Sequence, residues 1–159
     1  LILIISFLVA ILDQLTKQVI RSGMALGDSV PVIPGVFNIH YVQNTGAAWG
    51  IFAGLNGWLI ALSIGMLGFI IFFRRSFMAE HPAHRVAVGL MIAGIVGNLI
   101  DRIRLDYVVD FLDFYWKTHH FPTFNVADSA ICTGVGLYIV SQWFIQESPT
   151  GSSVKPRDV

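Results

Sequence analysis

The amino-acid sequence predicts an α-helical integral membrane protein: four transmembrane helices with a small β-platform outside the bilayer. Three observations carry that expectation. Hydrophobic residues fill 55% of the 159 positions and charged ones only 13%, with a mean hydropathy of +0.69, a balance foreign to a soluble domain. Four apolar runs, at about 1–21, 55–73, 86–104 and 127–146, have spanning length. Between the first two, over about 27–54, the hydrophobic period shortens from that of a helix to that of a strand. A net charge of zero leaves no basic surplus to neutralise phosphates, which excludes a nucleic-acid partner. The single cysteine, Cys132, excludes an intramolecular disulfide or a CxxC site and reads as a small buried hydrophobe.

The first run is apolar through Leu12 apart from Ser6, and the helical pattern continues past Asp13 to about Ile20. A secretory signal would need a basic start and a small-residue cleavage site, so a spanning helix whose outer turn carries Asp13 and Lys17 is the better reading. Those two residues stand four apart and can pair on one helix face. Pro31, Pro34 and Gly35 then punctuate the chain, and Phe37, Ile39 and Tyr41 alternate with Asn38 and His40 as in a half-exposed strand. Asn44-Thr45-Gly46 reads as a turn. The second run ends at Arg74-Arg75. His81 and His84 follow in a short basic stretch and read as loop residues, since no H-E-x-x-H or comparable pattern is present to hold a metal.

In the third run Gly89, Ala93 and Gly97 recur every four residues and lead to Asp101, while Gly94, Asn98 and Arg102 form the neighbouring stripe. Small residues at that spacing let another helix approach closely, so the polar end of this helix faces protein. Residues 105–126 read as an outer loop rich in aromatics suited to the membrane interface, with Asp106 and Asp113 as exposed loop carboxylates. The polar segment 148–159 reads as a disordered cytoplasmic tail. Lysine and arginine are divided five and five between the two sides. Three arginines in one short loop, with partners for Lys17 (Asp13) and Arg102 (Asp106), favour cytoplasmic termini.

Residues 98–128 hold five of the ten acidic side chains, at the ends of membrane runs where a carboxylate is costly. Two carboxylates held close cannot both ionise, so the charged one can take a proton from water while the protonated one polarises a carbonyl. Asp110, between Val108-Val109 and Phe111-Leu112, and Asp128, at the start of the fourth run, are the candidates. A plainer account stands beside each: Asn125-x-x-Asp128 has the spacing of a capping box, and Asp110 would be an ordinary loop carboxylate. Serine chemistry lacks a visible base, His119 and His120 being unsupported. A transporter would show repeats or broken helices, and an adaptor would leave the two acids in apolar settings unexplained.

The motifs Asn44-Thr-Gly46-Ala-Ala-Trp-Gly50, Gly97-Asn98-Leu-Ile-Asp101-Arg102, Val108-Val-Asp110-Phe111 and Phe124-Asn125-Val-Ala127-Asp128-Ser129, with Asp13-Gln14 and Lys17 in the first run, resemble those of lipoprotein signal peptidase, the type II signal peptidase of bacteria. The resemblance covers residues 1 to about 146. It implies an aspartyl protease of the bacterial inner membrane, four transmembrane helices with a small extracytoplasmic β-cradle and an outer helical arm, and an active site near the outer face. The implied catalytic pair is Asp110 and Asp128, surrounded by Asp13, Asn44, Gly46, Asn98, Asp101, Arg102, Asn125 and Ala127. The implied reaction removes the signal peptide from a diacylglyceryl-modified prolipoprotein just before the lipidated cysteine. No cofactor or metal is expected. The expected partners are those prolipoproteins, membrane lipids and peptide antibiotics of globomycin type, and the chain is expected to act as a monomer.

Overall fold

A computed structural model of the chain describes residues 1–46, 51–73 and 82–146. Among them are four helices and one four-stranded sheet, in the order α1 (Ile2–Gly23), β1 (Ser29–Ile33), β2 (Phe37–Asn44), α2 (Asn56–Phe72), α3 (Pro82–Leu105), β3 (Val108–Trp116), β4 (His119–His120) and α4 (Val126–Gln146). The motif residues Ala47 to Gly50, the stop at Arg74-Arg75, His81 and the tail 148–159 lie outside the described residues.

Helix α3 is the centre of the bundle and packs against α1, α2 and α4. Its glycines explain why. A Cβ on Gly94 would collide with the carbonyl of Ala127 in α4, and one on Gly134 of α4 would lie 2.8 Å from the Ala87 carbonyl oxygen of α3. Backbones can meet this closely only where side chains are missing. On another side of α3, a Cβ on Gly89 would touch Ile5 of α1 at 3.1 Å, and the Ser6 hydroxyl donates to the Gly89 carbonyl at 2.9 Å. Both small-residue stripes therefore face protein. Helices α1 and α3 are long and apolar enough to cross a membrane, and α2 is an apolar helix of 17 residues.

The sheet is antiparallel with order β1-β2-β3-β4. Here the sequence reading needs correction: residues 105–126 are not simply a loop, because β3 and β4 supply half of the sheet. An exposed edge on β2 would leave backbone N–H and C=O groups unpaired, and β3 satisfies them from Phe37↔Phe114 to Asn44↔Val108, with a one-residue register shift between Ile39 and Val42. Asp113 is accordingly no exposed loop carboxylate. It lies buried opposite Asn38, accepts from the Asn38 amide at 3.3 Å and pairs with His120 Nδ1 at 2.8 Å. Asp106 does lie outside the strands, exposed, with a left-handed φ of 66°. His84 is also not a loop residue: it is fully buried in α3 beside Tyr138 of α4, with ring centroids 4.9 Å apart.

Candidate active site

The site forms where the C-terminal half of α3, the end of β2, the start of β3 and the first turn of α4 meet. The first turn of α4 follows from its cap. Asn125 Oδ1 accepts the Asp128 N–H at 2.9 Å, and Asp128 Oδ2 accepts the Asn125 N–H at 3.2 Å, a reciprocal capping box. The next free N–H of that turn, on Ala127, donates to Asp13 Oδ1 at 2.9 Å, so a side chain of α1 completes the cap of α4. Ala127 is fully buried, and a Cβ on Gly97 would lie 2.5 Å from Asp13 Oδ2 and 3.2 Å from Ala127 Cβ. Glycine at 97 thus lets α1, α3 and α4 converge.

Asp110 is fixed from β3. Phe124 accepts from the Phe111 and Leu112 N–H groups and donates back to Leu112, which sets Asn125 beside Asp110. Asn125 Nδ2 donates to Asp110 Oδ1 at 2.7 Å, and Asn44 Nδ2 donates to Asp110 Oδ2 at 2.9 Å. Asn98 Nδ2 donates to Asp128 Oδ1 at 2.7 Å. The capping account of Asp128 is therefore correct for one oxygen only, and the other is held by Asn98. Both carboxylates line one cavity of about 750 Å³, walled by Asn44, Asn98, Arg102, the segment Phe121–Phe124 and Cys132, which is exposed there and not the buried hydrophobe expected from its apolar run. Burial, and then the charge of Asp128, push the Asp110 carboxyl up to about 7 against the opposing amides of Asn44 and Asn125.

Every other anticipated residue is gathered here or directly behind it. Gly46 is buried; a Cβ there would lie 2.8 Å from the Ile51 carbonyl oxygen, and its own carbonyl accepts from Arg102 Nη2 at 3.0 Å. Arg102 thus ties α3 to the turn after β2 and does not pair with Asp106, whose carboxylate accepts from Asn56 at 3.1 Å. Asp101 accepts the Val109 N–H at 3.1 Å and so pins the start of β3.

The sequence reading missed the part played by Lys17. Its pairing with Asp13 is found, at 2.9 Å, but the ammonium is deeply buried and also reaches Asp101 Oδ2 at 3.1 Å and Asn98 Oδ1 at 2.9 Å. Gln14 joins the group through Asp101 Oδ1 at 3.0 Å. The signal that could have found Lys17 is its cost: a lysine in an otherwise apolar run needs more than one acid to be held there. Among the described residues no three His, Cys, Asp or Glu side chains converge as a metal site.

What this arrangement can do is hold two carboxylates in fixed, hydrogen-bonded positions facing an open cavity, one of them able to keep a proton near neutrality. Comparison with known proteins places the whole chain in a family. The family model described as signal peptidase (SPase) II matches residues 5–144. The lipoprotein signal peptidase of Syntrophotalea carbinolica is 44% identical over 145 residues, covering 89% of each chain. That of Geobacter sulfurreducens is 47% identical over 82% of this chain and 83% of its own. A bacterial membrane enzyme solved by the in meso method at 2.3 Å superposes with a TM-score of 0.84 at 36% identity, covering 97% of this chain and 94% of the other. With its sequence matched over nearly the whole length, the chain belongs to the signal peptidase II family.

Proposed function

We propose that this chain is a membrane aspartyl endopeptidase that removes the signal peptide from diacylglyceryl-modified prolipoproteins, cutting just before the lipidated cysteine. The observation that carries the mechanism is that Asp110 and Asp128, far apart in sequence, line one cavity and are gripped by Asn44, Asn98 and Asn125. Asp110 keeps a proton below about pH 7 and hydrogen-bonds the scissile carbonyl. Asp128, in the first turn of α4 where the helix dipole favours negative charge, takes a proton from water. The water oxygen bonds to the carbonyl carbon as the C=O π electrons move onto oxygen. The C–N bond then breaks and Asp128 passes its proton to the departing amine, the new N-terminus of the lipidated cysteine. Collapse of the oxyanion regenerates a carbonyl and leaves the signal peptide as a carboxylic acid. Arg102 and the asparagines can bind the unwound peptide's amides, which otherwise go unsatisfied near lipid.

In the same reading all four helices span the cytoplasmic membrane, both termini are cytoplasmic and the sheet lies on the outer side. The apolar character of α1, α2 and α3 and the interfacial aromatics of β3 support it. Exposed Trp116 and Phe121 would then lie at headgroup level, where a lipid-bearing peptide can enter sideways. Globomycin-type peptides would bind in the Asp110–Asp128 cavity, and a single chain would suffice for the reaction.

The test is cleavage of a synthetic diacylglyceryl-cysteine peptide by the purified chain in detergent, with and without EDTA. Cleavage before the modified cysteine, insensitive to the chelator and absent from the unlipidated peptide, is expected. Loss with EDTA restored by zinc, or equal cleavage of both peptides, would overturn the proposal.

A further inference from the structure

Away from the acid cluster, α1 and α3 enclose a second recess, in two parts that share Ile11 and Gln14. The larger part, about 710 Å³, is an apolar groove between Phe7 and Ile11 of α1 and Val96 and Ile100 of α3. Small residues there, Ser6, Ala10 and Ala93, keep the facing side chains from filling it. The smaller part, about 250 Å³, lies at the sheet end of both helices and is lined by Gln18, Arg21 and Arg104. None of these residues lines the Asp110–Asp128 cavity.

The charge of the smaller part is one-sided. Among the described residues neither Arg21 nor Arg104 is in an ion pair. The one carboxylate in its wall, Asp101, is already committed: Oδ1 accepts from Gln14, and Oδ2 accepts from Lys17 and the Val109 N–H. Arg21, half-buried and hydrogen-bonded to Tyr107, and the exposed Arg104 therefore line the polar end of the apolar groove with no carboxylate there left to pair them. From Phe7 to Arg21 the helix rises about 21 Å, which is about half the thickness of a bilayer with its headgroups.

We propose that this recess is a binding site for an anionic phospholipid, its phosphate between Arg21 and Arg104 and one acyl chain in the groove. The inference rests on α1 and α3 crossing the membrane, and not on the chemistry of Asp110 and Asp128. Basic pockets between spanning helices select anionic headgroups, and guanidinium presents paired donors to phosphate oxygens. The diacylglyceryl group of a prolipoprotein carries no phosphate, so the arginines distinguish this ligand from the substrate. The pocket backs onto Lys17 and Asp101, so the lipid braces the α1–α3 contact on which the acid cluster is built.

The experiment is thermal unfolding and lipid titration of the full chain in phosphatidylcholine nanodiscs, with phosphatidylglycerol, neutral diacylglycerol or inorganic phosphate added. Phosphatidylglycerol should raise Tm saturably, and neither of the others should reproduce the effect. Arg21→Gln/Arg104→Gln should weaken phosphatidylglycerol binding about 30-fold, from about 1 kcal/mol per basic contact at 1.4 kcal/mol per tenfold. The same variant should keep wild-type cleavage in pure phosphatidylcholine, and the double Arg→Lys variant should retain most of the binding. Equal stabilisation of the Gln variant by phosphatidylglycerol would overturn the proposal. So would saturation by diacylglycerol at the same mole fraction, or a full effect from phosphate alone.

Discussion

Asn44→Ala should move the alkaline limb of the pH–rate profile upward. In the wild type the proton on Asp110 is held to about pH 7, so kcat/KM should fall as pH rises through that value. The Asn44 amide donates to Asp110 Oδ2 at 2.9 Å and stabilises the ionised form. A hydrogen bond to a charged group is worth about 1.5–3 kcal/mol, and one pH unit corresponds to about 1.4 kcal/mol, so deletion should raise the limb by about one to two pH units. Asn44 Oδ1 also accepts the Gly46 N–H, so the absolute rate should drop. The position of the limb is nevertheless readable at any residual rate. The assay is cleavage of lipidated peptide at subsaturating concentration from pH 5 to 10, with Asn38→Ala as control, because Asn38 bonds Asp113 rather than Asp110. An unmoved or acid-shifted limb in Asn44→Ala would refute the assignment of the proton to Asp110.

Asp110→Asn and Asp128→Asn should each abolish cleavage, and the double variant should be no worse than either, since paired groups lose function together. Stability should also report on Asp110: with a folded pKa of about 7 against 3.8, its contribution is most favourable below pH 4 and falls by about 4 kcal/mol as pH rises to 7. Urea or thermal unfolding of Asp110→Asn should show that slope removed, and an unchanged slope counts against the burial argument. Asp113→Asn should keep its catalysis yet lose about 1–3 kcal/mol of stability, because the buried carboxylate is held by both His120 Nδ1 and the Asn38 amide and an Asn side chain offers only one acceptor oxygen. Gly94→Ala should cost about 3 kcal/mol or more, by forcing α3 off the Ala127 carbonyl, whereas Gly68→Ala, with open space around it, should be tolerated on the same melting curve.

Local chemistry was legible in the sequence and distant pairing was not. The cap of α4 could be read because Asn125 and Asp128 are three residues apart, and the packed face of α3 because its glycines repeat at helical spacing. Strand β3 could not, since Val108–Trp116 acquires its identity from β2, some seventy residues upstream. Asp113 was misread for a related reason. With residues 105–126 read as a loop, nothing nearby in the sequence marks Asp113 as covered, although in the strand it lies on the face opposite to Asp110. Both are buried, because Asn38 and His120 cover the second face. His84 was misread because α3 begins earlier than its apolar run, at Pro82, a residue suited to a helix start.

Charge and donor counting link Lys17 to the dyad. The buried cluster holds Asp13, Asp101 and Asp110 with Asp128 beside them, against the cations Lys17 and Arg102. Four ionised carboxylates would leave two uncompensated charges in a place where each is costly, so retaining a proton between Asp110 and Asp128 lowers that burden. Lys17 also sets direction. An ammonium can only donate, so Asn98 must turn its oxygen toward Lys17 and its NH2 toward Asp128. The Asp128 N–H likewise can only donate, so Asn125 must present its oxygen there and its NH2 to Asp110. Neither amide can flip without setting oxygen against oxygen or donor against donor. The orientation of both carboxylates is thus fixed by two groups that have no acceptor to offer, one of them a lysine deep inside α1.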